Sequence, residues 1–487
     1  MAPSIDIAAS RLSLSSSAAP TSSANGSEFQ DLLTLLNSSL TTYRNELALA
    51  SLPEPHFFAA KPHPLDDPLY FPSINLFNAR RQLVGALDML KNLVQDPSVK
   101  IMAESAGHYM PAALDFVMQA KVADSLVAAG SQGLTAQQLV QASGLNISAA
   151  KLTKIMRYLS NHLVFAETAQ GTFVNTRVSI RLVSDSPTRS YAAFQAAIGL
   201  PTAASLAKTL LEPATALSDD PLDCALSRAF DFQGLGVSNA WEFLAKHQPK
   251  ALEDFGHTMS SASRAQCAGL LADFPWKTEF ASGTTIVDIG GGQGGFMLPL
   301  LKTFPHLRGV LQDRPETIDQ ARLHFAQGLP EVLDTERLSL QPHDFNTEQP
   351  LVGEQYHYVL KAVLHDYPDH LSVGILKALA PALLPTSRVL ILDILLASPS
   401  SRRVEDNAAA SSDAQAELAA SPPFPLPITY GGAGNLAHAI DMEMMSALNG
   451  TERTLDDFKR IFKQAGLEYV KTWPLRSSMS IIEARKA

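Results

Sequence analysis

The sequence predicts an α/β protein: a doubly wound, mostly parallel seven-stranded sheet in the C-terminal half, preceded by an all-helical plus winged-helix domain. Three observations predict this. From Thr284 onward, short β-branched and aliphatic runs alternate with helical ones. The first run, Thr285-Ile286-Val287-Asp288-Ile289, passes through the glycine-dense turn Gly290-Gly291-Gly292-Gln293-Gly294-Gly295 into an apolar helix opening at Phe296. The last two strand-like runs follow each other without a helix, which calls for an antiparallel hairpin at one edge of the sheet and one reversed strand.

The whole chain sets the frame. Its 487 residues exceed one ordinary domain. The net charge of −10 offers no basic excess to neutralise phosphates, so nucleic acid is not expected as a partner. Two cysteines, Cys224 and Cys267, form neither a disulfide framework nor a zinc motif, and a reducing, cytoplasmic location is expected. No apolar run approaches the ~20 residues of a membrane span. The expected divisions are a disordered tail over 1–28, a helical and winged-helix unit over 29–185, a helical connection over 186–280, and a sheet domain over 281–487. The last contains an Ala-, Ser- and Pro-rich flexible insertion at 398–427.

In order, Phe29 to Leu49 and Asn75 to Leu93 carry leucines at helical spacing, separated by a proline-rich link. Helices this apolar need a partner surface, in their own domain or in another subunit. Between Pro111 and Val183, three helices, two of them capped by Thr135 and Ser148, precede two short strands that turn at Gly171. Helix, turn, helix and hairpin make a winged helix. Its third helix offers only Lys151, Lys154 and Arg157, so docking or dimerisation suits this acidic chain better than DNA binding. Residues 190–276 read as helical, with aromatics and methionines suited to plain core or to a pocket. The expected strands then begin at Thr285, Gly309, Leu338, Tyr356, Arg388, Leu467 and Met479.

Candidate chemistry gathers at the strand ends. Glycine lets the chain turn sharply and lets a ligand touch bare backbone. Asp288 ahead of Gly290 and Gly292 suits a ligand with a positive amine, as in S-adenosylmethionine. Asp313 ends the second strand, where an acid can accept from ribose hydroxyls or cap the following helix. Asp344 closes the third strand, either making a turn or accepting from an adenine amine while Phe345 packs the ring. The fourth runs into Lys361-Ala362-Val363-Leu364-His365-Asp366-Tyr367. An imidazole there, with an ordinary pKa near ~6.5, can remove a substrate proton at neutral pH.

Taken together, Val-Asp-Ile-Gly-Gly-Gly-Gln-Gly, Gln-Asp-Arg-Pro-Glu-Thr-Ile, Leu-Lys-x-Val-Leu-His-Asp-Tyr and Asn-Gly-x-Glu-Arg-Thr resemble one family in the right order. These are the class I S-adenosylmethionine-dependent O-methyltransferases of the caffeic acid/flavonoid type. Within them the chain resembles the fungal secondary-metabolite, sterigmatocystin/aflatoxin-like branch, from the winged-helix unit to the C-terminus. The resemblance implies a Rossmann-like methyltransferase sheet, a homodimer, no metal, and methyl transfer to a phenolic or enolic hydroxyl of an aromatic polyketide. It makes His365 the general base, steered by Asp393 and Glu452; Asp393 is shorter than the glutamate usual in plant members, and Glu452 also suits the start of the helix capped by Thr454. Cofactor contacts fall on Gly290, Asp313, Asp344, Phe345 and Lys361. Acceptor contacts fall on Trp241, Phe255, Met259, Met444 and Asn449, with Phe255 and Met444 equally suited to core. Tyr367 stands where many members have Trp, and Ala262 where they have His. A rival reading uses the same cofactor as a positive charge for a pericyclic or dehydration step.

Overall fold

The computed structural model describes residues 27–59, 62–67, 69–397, 418 and 420–487. Most of the expected tail and most of the 398–427 insertion therefore lie outside the described residues.

The main sheet has seven strands. In chain order, after three short strands of the N-terminal domain (β1 Leu134–Thr135, β2 Phe165–Ala169, β3 Thr172–Asn175), they are β4 (Thr285–Ile289), β5 (Arg308–Asp313), β6 (Leu338–Pro342), β7 (Tyr356–Lys361), β8 (Val389–Asp393), β11 (Leu467–Pro474) and β12 (Ser480–Lys486). Two further short strands, β9 (Leu395–Leu396) and β10 (Arg453–Thr454), pair in parallel outside it. The sheet order is β11-β12-β8-β7-β4-β5-β6. Pairs among β4 to β8 are parallel; β12 runs antiparallel to both β8 and β11. The expected hairpin and single reversed strand are present. The reversed strand lies one place in from the edge, wedged between β8 and β11.

Alternation along each strand builds two cores. Ile286, Leu311, Val359, Leu390 and Leu392 face one way, against Met297, Leu300, Leu301, Ile318 and Phe325 of the helices after β4 and β5. Val287, Ile289, Val310, Leu360, Val389 and Ile391 face the other, against Leu376, Leu379, Phe458 and Phe462. A strand with both faces covered has no polar side, which explains why every residue of β4 is buried. Order reverses at β4, because the chain next builds outward on one flank (β5, β6) and then on the other (β7, β8). Ligands in such sheets bind at the carboxyl ends beside that reversal. Here it sets the glycine turn after β4 against the loop after β7: a Cβ on Gly290 would press on Val363 Cγ2 at 3.0 Å.

The N-terminal domain has the expected winged helix. Capping is as read from sequence: Thr135 forms a capping box with Gln138, and Ser148 accepts from the Lys151 amide. The wing gains an unanticipated third strand, β1, paired with β3. On the third helix Arg157 is held by Glu167 of the wing at 2.9 Å. Helices Glu28–Leu49 and Ile74–Val94 pack on each other and on chain from the far half of the sequence. Leu32, Leu35 and Ala86 share a core with Leu426 and Tyr430, and the Arg81 guanidinium stacks over the Tyr430 ring at 3.7 Å. Approach is close enough that a Cβ on Gly85 would collide with the Tyr430 carbonyl oxygen. The end of the expected flexible insertion is therefore seated on these helices through Leu426.

Candidate active site

The glycine turn after β4 is built as a cradle. Gly290, Gly292 and Gly294 have φ of 69°, 57° and 90°, open to glycine and costly for other residues. Asp288 beneath them is buried, and neither carboxylate oxygen has a hydrogen-bond partner among the described residues. Burial pushes its pKa up to about 7; Lys361 opposes this and Asp313 reinforces it. A buried, unpartnered carboxylate beside open backbone fits a ligand bearing an ammonium group. Asp313 uses one oxygen on the Gly292 amide and the other on the Arg314 amide, both at 2.8 Å, so it braces the turn as well as standing at its mouth. Phe345 lies over Gly290 and meets Tyr367 edge-on at 5.9 Å. Asp344 is exposed and makes the turn of its two readings, accepting from the Asn346 amide and side chain. β6 stops at Pro342, short of it.

Lys361 ends β7 half-buried, and the loss of solvent around its ammonium lowers its pKa against the pull of Cys267, Asp288 and Asp393. Ala362 follows with φ of 52°, a non-glycine residue in the left-handed region at the point where the chain swings toward His365. The His365 Nδ1 lies 2.7 Å from Glu452 Oε1, and Nε2 lies 3.5 Å from Asp366 Oδ1. Burial alone would lower the pKa of this imidazole. Asp366, the Glu452 hydrogen bond and Asp393 outweigh it and push it up to about 10.

Of the two acids expected to steer His365, only Glu452 bonds to it. Asp393, at the end of β8, is buried with both oxygens unpartnered among the described residues, and acts on the ring through charge alone. Its side chain is one methylene shorter than the glutamate that would make the second bond. Burial raises its pKa to about 6. Asp366, given no role in the sequence reading, supplies the second close carboxylate.

Glu452 is placed by three devices. The β9–β10 ladder pairs Leu395 with Arg453, bringing the residue before β10 to the end of β8. Asp441 accepts from the Glu452 amide at 2.9 Å. The Thr451 amide donates to the His365 carbonyl at 2.9 Å, over Gly450, where a Cβ would strike that same oxygen. Arg453 then staples the histidine loop from below. Fully buried, it donates to the carbonyls of Leu364 (2.7 Å) and Tyr367 (2.8 Å), to Ser372 Oγ (3.0 Å) and to Asp369 (3.0 Å). Asp441 and Arg453 were missed. Only Arg453 left a signal, its place in the Glu-Arg-Thr run.

The acceptor residues are less gathered. Trp241 and Phe255 meet edge-on at 5.4 Å, and Phe255 continues to Phe194 at 5.3 Å. Phe255 packs on the same core as Ala447 of helix Asn435–Leu448, which also carries Met444 in a half-buried position. Met259 is 43% exposed. Asn449 is a left-handed helix C-cap whose amide donates to the Asp220 carbonyl at 2.7 Å, so it ties a loop rather than offering that group to a ligand. Among the described residues no cluster of acids, histidines or cysteines could hold a metal ion, and no helix is long and apolar enough to cross a membrane.

Comparison with known proteins agrees with this geometry. The O-methyltransferase domain family matches residues 216–414, and the O-methyltransferase dimerisation domain matches residues 102–185. An O-methyltransferase of Aspergillus terreus, gedA, is 32% identical over 86% of this chain and 88% of its own length. Among solved structures, one described as a pericyclic reaction enzyme shares the fold with a TM-score of 0.63 at 19% identity, over 93% of this chain and all of its own. Another is an O-methyltransferase from neocarzinostatin biosynthesis in complex with S-adenosylmethionine and 2-hydroxy-5-methyl naphthoic acid. It has a TM-score of 0.56 at 22% identity, over 78% of this chain and 96% of its own. With a relative 32% identical over most of both chains and both family models matched, this chain belongs to the S-adenosylmethionine-dependent O-methyltransferases.

Proposed function

We propose that the protein methylates a phenolic or enolic hydroxyl of an aromatic, polyketide-type secondary metabolite, and that His365 receives the hydroxyl proton. The observation that carries this reading is the imidazole between two carboxylates, Glu452 on Nδ1 and Asp366 beside Nε2. S-adenosylmethionine, when bound, supplies an electrophilic methyl group on a sulfonium. Asp288, Gly290, Gly292, Asp313, Phe345 and Lys361 are the residues that would hold it.

The protein's own part is positioning and proton transfer. Glu452 fixes Nδ1 as the protonated nitrogen and leaves Nε2 to take the acceptor's proton. Neighbouring carboxylates stabilise the imidazolium that results, which is what the raised pKa expresses. The neutral, receptive form therefore gains population as pH rises. Holding the hydroxyl in near-attack geometry supplies most of the remaining acceleration. A relative from Cladonia grayi, named as the O-methyltransferase of the grayanic acid biosynthesis cluster and 29% identical over 68% of this chain, supports the secondary-metabolite setting. The retained base with its carboxylates favours methyl transfer over a pericyclic or dehydration step, for which a proton acceptor so braced is unnecessary.

Incubation with methyl-labelled cofactor and a broad panel of phenolic polyketides tests the reading. Labelled methyl ether is expected from the wild-type protein, with a rate lower by about 10²- to 10⁴-fold in His365→Ala. No labelled product across the panel, or near-normal transfer by that variant, overturns it.

A further inference from the structure

A second polar cluster lies outside the catalytic group, where the helical connection meets helix Asn435–Leu448. Gln195 Nε2 contacts Glu443 Oε2 at 2.9 Å and the Tyr191 hydroxyl at 3.0 Å. Burial raises the pKa of both Tyr191 and Glu443, yet both residues keep some accessible surface.

Local structure shows what holds the cluster. Residues Gln195–Gly199 form a π-helical turn between helices Pro187–Phe194 and Leu200–Leu211. Such widened turns are frequent at functional positions. Gly199 leaves room for the side chain of Gln195, whose Oε1 lies where a Cβ would be and whose amide is aimed at Glu443. Both remaining capacities are complementary. Among the described residues the carboxylate of Glu443 accepts one hydrogen bond where it has room for several. The Tyr191 oxygen accepts from Gln195, leaving its O–H to donate. An acceptor beside a donor matches one ligand group best, a hydroxyl.

Position relates this pair to the reaction. Glu443 and Ala447 lie one helical turn apart on a single face, ~6 Å along the axis, and Ala447 packs on the aromatic layer that includes Phe194 and Phe255. Two residues from Glu443 on the same helix, Asp441 holds the Glu452 amide. Residues two apart lie about 200° around a helix, so Glu443 faces the side of Ala447 and the layer of Phe194 and Phe255 rather than that of Asp441. A plain core role would be met more cheaply by an apolar side chain, since a buried carboxylate with one partner costs stability.

We propose that Tyr191, Gln195 and Glu443 form a specificity site that recognises a second hydroxyl of the acceptor, one that is not methylated, so that the preferred substrates are polyhydroxylated aromatics. This rests on the O-methylation reading above. Glu443 accepts a hydrogen bond from the hydroxyl, Tyr191 donates one to its oxygen, and Gln195 positions both without touching the reacting atoms.

The test compares 1-naphthol with dihydroxynaphthalene isomers, using the full-length protein and labelled cofactor. Calorimetric binding of each compound to the protein loaded with S-adenosylhomocysteine provides a second readout. Wild-type protein should favour at least one diol over naphthol in kcat/KM. That ratio should fall about ten-fold or more in Glu443→Gln and in Tyr191→Phe, mainly through KM. A general loss of fold would lower both acceptors together and leave the ratio alone. An unchanged ratio in both variants, or no diol preference in the wild type, overturns the proposal while O-methylation stands. Failure of the wild type to bind or methylate any of these compounds, or the phenolic panel above, overturns the O-methylation reading and this one with it.

Discussion

At His365 the structure turns a motif into a statement about charge. Three carboxylates act on one imidazole, and removing one must lower its pKa. In Glu452→Gln the pH–rate profile should move to lower pH and its plateau should fall, since the tautomer and the imidazolium both lose their support; kcat/KM measured across pH 6–10 checks the direction. Asp393 gives a linkage of definite sign. Its folded pKa is raised from 3.8 to about 6, so its contribution is fully present below pH 3.8 and lost as pH rises through about 6. Asp393→Asn removes that loss. Denaturant titrations should show its stability relative to wild type improving from pH 5 to pH 7.5, and no change in the difference would contradict the assignment of a buried, unpaired acid. His365 and Glu452 were legible from sequence because their motifs fix their chain order and neighbours. Asp366, given no role from sequence, stands beside the ring while Asp393 does not reach it, because which acid nears a ring depends on side-chain reach, and an ångström is invisible in a spacing.

Among the elements, the loop after β7 is held by a residue from nearly a hundred positions away. Arg453 closes four hydrogen bonds under His365 with a guanidinium that has no water around it. Arg453→Met should cost about 2–4 kcal/mol, since two loop carbonyls lose their charged donor. Activity should fall further than stability alone predicts, because the loop carries His365, the proposed base; thermal melts alongside single-turnover rates at a temperature where the variant is folded separate the two effects. The strands and helices themselves were well marked by period and caps, from β4 with its glycine turn to the helix capped by Thr454. What periodicity did not mark were the two-residue strands β9 and β10. Pairs that short carry no pattern, and they form because β8 and the Glu452 loop are already adjacent.

Across the whole molecule, the N-terminal helices and the catalytic domain share a core through Leu426 and Tyr430. The sequence showed that those helices needed a partner surface, yet could not say which, since their contacts join segments hundreds of residues apart. Tyr430→Ala removes a buried ring and the platform under Arg81. It should cost about 3–5 kcal/mol by the usual scale for large aromatic truncations. Hydrogen exchange should then speed up in helices Glu28–Leu49 and Ile74–Val94 and also in helix Asn435–Leu448, which begins just beyond that seat. Faster exchange in the N-terminal helices alone would show that the two halves are energetically separate.

The β9–β10 ladder has a practical consequence. It clamps the chain shortly before the insertion to the chain just after helix Asn435–Leu448, so Glu452 keeps its place beside His365 whatever length of polypeptide is threaded between Leu396 and the Leu426 seat. Loop-closure entropy grows only slowly with length. A change of chain length between Leu396 and Leu426 should therefore leave methyl transfer within about two-fold of normal. The ladder makes the geometry around His365 independent of how much chain joins its two halves.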